Sequence, residues 1–199
     1  MKISKLTLSL ALLIASTAAA HAQLAVYGTF VGNRISGIPY TGTNSSTTNG
    51  NFSSFGAGGG LYYDLRTYGP VRFGVDARGS ITSSKKGVEP NFIGGGGHLN
   101  SALGGVRAVF HTKYTILHPY LQASAGLART DFGKDYRLGI TYSNNLQYEG
   151  FAGLDVKATS FMDVRVLEFG YGAVHGTGAN SGNFPVETVS TGIVFHLPF

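Results

Sequence analysis

From Thr188 to Phe199 the chain repeats with a period of two. Val189, Thr191, Ile193, Phe195, Leu197 and Phe199 fall on one face, and Thr188, Ser190, Gly192, Val194 and His196 on the other. Extended backbone sends alternate side chains to opposite faces, so this segment reads as a strand with one apolar face and one small or polar face. The pattern recurs upstream. Phe55, Ala57, Leu61, Tyr63 and Leu65 oppose Gly56, Gly58, Gly60, Tyr62 and Asp64; Val71, Phe73, Val75, Ala77 and Gly79 oppose Arg72, Gly74, Asp76, Arg78 and Ser80. Leu121, Ala123, Ala125 and Leu127 oppose Tyr120, Gln122, Ser124 and Gly126; Tyr148, Ala152, Leu154 and Val156 oppose Gln147, Glu149, Gly153, Asp155 and Lys157. Segments 24–34, 100–111 and 163–173 carry weaker versions, which brings the expected count to eight strands.

An apolar face on every strand must meet either a second sheet or hydrocarbon. Charged residues are only 13% of the chain and glycine reaches 30 residues, where a soluble domain carries about a quarter charged residues. Past the first 22 residues no apolar run approaches the roughly 20 residues of a membrane helix. In hydrocarbon an open sheet edge has no hydrogen-bond partner, so a spanning sheet has to close on itself. The links argue for that closure. Short ones are expected at Arg66–Pro70, Lys113–His118 and Ala158–Met162, and long polar ones at Ser36–Ser53, Ile81–His98, Thr130–Asn145 and Val174–Pro185. Tight turns on one side and long loops on the other belong to a spanning barrel, and a sandwich needs no such rhythm. The expected fold is all-β: a closed antiparallel transmembrane barrel of eight strands, up-and-down.

The N-terminus has a separate role. Lys2 and Lys5 precede the apolar stretch Leu6–Ala19, and Ala20-His21-Ala22 has the small-x-small form of a cleavage site. Residues 1–22 are therefore expected to be a signal peptide and residues 23–199 the barrel domain. With no cysteine anywhere, disulfides and thiolate metal sites are excluded. The net charge of +5 includes Lys2 and Lys5, and the mild remainder points to no nucleic-acid partner.

The alternation that ends in Ile193, Phe195, Leu197 and Phe199 resembles the C-terminal signal that the outer-membrane assembly machinery reads. Over its mature length the chain resembles the OmpA-type and OmpX-type family of small bacterial outer-membrane barrels. The resemblance implies export through the inner membrane, residence in the cell outer membrane, and contact with its lipid and lipopolysaccharide as a monomer. Two departures stand out. Nothing follows Phe199 in the place of a peptidoglycan-binding domain, and there is no Trp. Interfacial girdles must then come from Tyr and Phe, such as Tyr27, Tyr63, Tyr120, Phe110 and Phe199.

Alternation also assigns the interior. Arg72, Arg78, Arg107 and Lys157 face Asp64, Asp76, Glu149, Asp155 and Glu168 in a lumen that eight strands leave only wide enough for side chains. Buried charges persist when paired, so a salt-bridged plug is favoured over a charge-gated ion path. His111 and His196 are expected as hydrogen-bonded interior groups. A lipid-modifying enzyme of this kind would pair His and Ser near the membrane boundary. The nearest candidates, His175 and Ser181, lie in the Gly- and Asn-rich stretch 174–181 and lack the compact His-x-Ser-Asn arrangement. His98, His111, His118, His175 and His196 show no ligand spacing, and Gly94–Gly97 is followed by no Gly-Lys-Ser/Thr, so no metal or cofactor is expected. Sequons at Asn44 and Asn51 carry little weight in the bacterial protein that the resemblance implies. Lys85, Lys86, Lys134 and Arg137 are placed in loops near glycolipid phosphates. The expected role is a non-catalytic structural or surface-interaction protein acting through its loops on an unassigned ligand. A narrow pore for small solutes is the alternative, and a lipid-modifying enzyme a third reading.

Overall fold

The computed structural model describes residues 24–41, 47–85, 96–112, 116–131, 143–176 and 182–197. They form eight strands: β1 (Leu24–Thr41), β2 (Thr47–Tyr68), β3 (Val71–Ser84), β4 (Gly97–Phe110), β5 (Leu117–Asp131), β6 (Ser143–Lys157), β7 (Met162–Gly176) and β8 (Gly182–Leu197). Each pairs with its sequence neighbours, and β1 pairs antiparallel with β8 from Leu24↔Leu197 to Ile35↔Val186, closing the barrel.

Both ends of the described chain lie at one end of the barrel, called here the terminal end. Its connections are tight. β2 turns into β3 through Gly69 and Pro70, with Gly69 at φ 57, a left-handed conformation that glycine adopts without strain. Adjacent turns are tied together: the His111 amide donates to the Pro70 carbonyl, Lys157 to Ile116 and His196 to Phe161.

The outer surface carries a belt that water would not tolerate. Ile81 is 70% exposed, Phe55 63%, Phe30 62% and Val106 62%, with Leu121, Leu127, Phe169, Val189 and Ile193 among them. On β3 the belt runs from Phe73 to Ile81, close to the ~10 residues a tilted strand needs to cross hydrocarbon. This belt faces lipid. Tyr68, Phe73, Phe110 and Phe161 edge it at the terminal end, and Phe30, Phe55, Tyr148 and Tyr171 lie toward the other, loop end. Two residues expected in the girdle are not there: Tyr27 and Tyr120 point inward and are buried, because both sit on the lumen phase of their strands.

The four long links are also corrected. Ser36–Thr41, Thr47–Ser53, Ile81–Ser84, Gly97–His98, Thr130–Asp131, Ser143–Asn145, Val174–Gly176 and Gly182–Pro185 are all strand. The wall continues beyond the belt, where the alternation reverses its sense. Arg34, Asn51, Ser53, Asn100, Arg129 and Asn144 now face outward. Ile35, Ile38, Phe52, Leu99, Ala128, Val174 and Val186 face inward and pack into one cluster with Phe184 against it. An apolar-out search passes over strands whose apolar side chains point in.

Two bulges matter for the interior. β2 slips between Asp64 and Arg66, and β7 between Arg165 and Glu168. In β7 the slip sends both Val166 and Leu167 to the lipid side and lets Arg165 and Glu168, three apart, both face the lumen.

Candidate functional site

The lumen is filled in three levels. At the loop end stands the apolar cluster just described. Beneath it lies a hydrogen-bonded band: the Thr188 hydroxyl shares its one proton between Asn33 at 2.9 Å and Glu149 at 2.8 Å, Asn33 donates to Thr82 at 3.3 Å, and Thr82 to the Leu99 carbonyl at 2.9 Å. The middle is a charge network. Arg78 reaches Asp76 at 3.1 Å, both Glu168 oxygens at 3.0 and 3.1 Å, and Gln122 at 2.9 Å. Arg165 bonds both oxygens of Asp155, at 2.9 and 3.3 Å, and lies 3.6 Å from Glu168. Arg107 donates to Asp155 at 2.7 Å and is sandwiched between Tyr120 and Tyr62, 3.6 and 4.2 Å from their ring centres. Tyr27 donates to Asp76 and Tyr120 to Glu168.

Three guanidiniums thus meet three carboxylates, each ion held by at least two groups. That is the condition under which buried charge persists. The fourth carboxylate, Glu149, takes bonds from Thr188 and Gln147, and among the described residues it forms no ion pair. The space left beside Arg78 and Glu149 is about 30 Å³, enough for roughly two waters.

Of the residues assigned to the interior from sequence, Asp76, Arg78, Arg107, Glu149, Asp155 and Glu168 lie in this middle level. Asp64, Arg72 and Lys157 lie lower, around a vestibule open at the terminal end, and Lys157 is exposed at its rim. Arg165 and Asp163 escaped the sequence reading. Unbroken alternation that points Glu168 inward points both outward, and only the β7 bulge reverses them. Asp163 receives His118 at 2.9 Å and His196 at 3.0 Å, while His111 meets Arg72 at 3.2 Å. His196 and His111 therefore line the vestibule. Ile193 and Phe195 face lipid and Leu197 closes β8; Phe199, Ser181, Asn44, Lys86, Lys134, Arg137, Gly94 and the segment 1–22 lie outside the described residues.

A search of solved structures finds the same architecture. Neisserial surface protein A matches with a TM-score of 0.54 and 20% identity over 87% of this chain and 97% of that one. The outer membrane protein OprG of Pseudomonas aeruginosa matches with a TM-score of 0.51 and 10% identity, over 89% and 97%. The fold is that of the outer-membrane β-barrels. No family model and no curated protein sequence matches the chain.

No set of three His, Asp or Glu side chains among the described residues is arranged to hold a metal ion. His175 bonds Asn183 on the outside of the loop end, and the lumen carboxylates are engaged by Arg, Tyr, Ser, Thr or Gln partners.

Proposed function

We propose that this is a non-catalytic bacterial outer-membrane protein, a sealed barrel that displays its loop end at the cell surface. It is exported by its signal segment and inserted by the assembly machinery that reads Ile193, Phe195, Leu197 and Phe199. One observation carries the reading. Above the lipid-facing belt the wall turns inside out, with a polar exterior and an apolar core, as a structure standing in water must be. A conduit has no use for an apolar stopper above a charged plug. A rigid pedestal for surface loops does. The shared fold with a surface protein and an outer membrane protein supports the placement. Arg34 and Arg129, exposed just above the belt, stand where lipopolysaccharide phosphates lie.

The chain has no cysteine, which makes its topology directly testable. On intact cells a membrane-impermeant maleimide should label Asn100→Cys, on the exposed wall above the belt, and leave Ala158→Cys in a terminal-end turn untouched until the outer membrane is permeabilised. Labelling with the opposite preference overturns the display reading.

A narrow pore is the second reading, favoured by the vestibule that opens the lumen from the terminal end. Refolded barrel in a planar bilayer should be electrically silent. Steady, reproducible conductance would put the pore first.

A further inference from the structure

The vestibule has the chemistry of a binding site. Its volume is about 290 Å³, its floor is open, and Tyr62, Arg107 and Asp155 form its inner wall where the charge network begins. Arg107 belongs to both levels. Its side chain is 1% exposed and spends one N–H on Asp155, while Nε and Nη1 find no hydrogen-bond partner. Two unpaired donors on one buried cation are costly, and they are tolerated where a further acceptor completes them.

Most of the carboxylate oxygens around it are already engaged. Asp155 is shared between Arg107 and Arg165, and Oδ2 of Asp163 takes both His118 and His196. Arg72 holds one oxygen of Asp64. Donors remain in excess. Lys157 lines the mouth and makes no ion pair among the described residues, and Arg72 projects a second nitrogen to His111 at its edge. Asp64 Oδ1 is a buried acceptor without a hydrogen-bond partner among the described residues, and a cation there would meet the Arg72 guanidinium 3.2 Å from its partner oxygen.

We propose that this vestibule binds a small oxyanion, a carboxylate or phosphate group, between Lys157 and Arg72 at the mouth and Arg107 at the inner wall. Planar or tetrahedral oxyanions suit guanidinium forks, and partial enclosure strengthens each contact over its value in water. The volume admits such a group with several waters, and the network above stops it from passing through. The same chemistry is carried by a free anion and by the headgroup of an inner-leaflet phospholipid.

The test is an NMR titration of the full mature barrel in non-ionic detergent, following the Arg107 Nε–H signal and the amides of His111 and Lys157. Inorganic phosphate and, separately, acetate are added against chloride at matched ionic strength. A saturable shift with an oxyanion and none with chloride is expected. Lys157→Gln removes an exposed cation without touching the network and should weaken binding about fivefold, the worth of one exposed charge contact. Asp64→Asn removes the competing carboxylate and should tighten binding. Vesicles containing phosphatidylglycerol, with no free phosphate, distinguish the headgroup: the same signals move in them if lipid is the source, and stay as in phosphatidylcholine if it is a free anion. Equal response to chloride, or no change of affinity in both variants, overturns the proposal.

Discussion

Replacing Glu168 with alanine is expected to cost the barrel about 3–5 kcal/mol, because it strands buried charge. The carboxylate is 2% exposed and receives Arg78 through both oxygens, Arg165 at 3.6 Å, Tyr120 at 2.7 Å and Ser190 at 2.8 Å. Truncation leaves two guanidiniums with half their counter-charge and a tyrosine hydroxyl without an acceptor, beside a space with room for about two waters. The lost stability comes from uncompensated cations, not from any large net gain of the pairs themselves. Glu168→Gln, which keeps shape and one acceptor, should lose less. Lys157→Gln at the exposed rim should stay within about 0.5 kcal/mol of the parent. The chain has no Trp. Urea unfolding in lipid vesicles is therefore best read by the mobility difference between folded and boiled protein on denaturing gels. Superimposable curves for Glu168→Ala and the parent would mean that the network is ornamental.

The same residue shows where sequence reading succeeds and where it stops. Within the belt the period of two is enforced by solvent on one side and packing on the other, so a slip of one residue is prohibitive. Asp76, Arg78, Gln122 and Glu149 could be placed inward from spacing alone for that reason. Arg165 could not. Its inward position depends on a β7 bulge at Val166–Leu167, and both are apolar residues that any strand position in a belt accepts. The one available signal was chemical: an Arg has no business in hydrocarbon, so Arg165 and Glu168, three apart, demanded an irregularity between them.

The wall above the belt was hidden for a related reason. Ile35, Phe52, Leu99 and Val186 alternate with Arg34, Asn51, Asn100 and Glu187 as regularly as any belt residue, but in opposite phase. The period is set by the backbone, whereas its sense is set by what lies outside. Where lipid gives way to water the apolar residues change sides, and a reader who fixes the sense at the belt mistakes strand for loop. Tyr27 and Tyr120 fail the complementary assumption that an aromatic in a membrane strand seeks the interface. Here their hydroxyls serve carboxylates inside.

Closure itself rests on backbones that approach too closely for any side chain, and Gly192 is expected to be the least replaceable glycine of the β1–β8 seam. A Cβ there would sit 2.1 Å from the Gly28 carbonyl oxygen and 2.8 Å from the Thr29 Cα. Both are backbone atoms fixed by the register Gly192↔Thr29, so no rotamer relieves the clash. Opening the seam breaks ladder hydrogen bonds that hydrocarbon cannot replace, and a barrel has no half-closed form in lipid. Gly192→Ala should therefore cost more than the roughly 1–3 kcal/mol of ordinary overpacking and leave most protein in the unfolded gel band after refolding. Gly104→Ala is the control. It is the same substitution on the lipid face, its nearest neighbour is the Asp76 carbonyl oxygen at 4.0 Å, and it should refold like the parent. Equal yields for the two variants would show that β1 and β8 are not held at this spacing and that the seam is looser than its register implies.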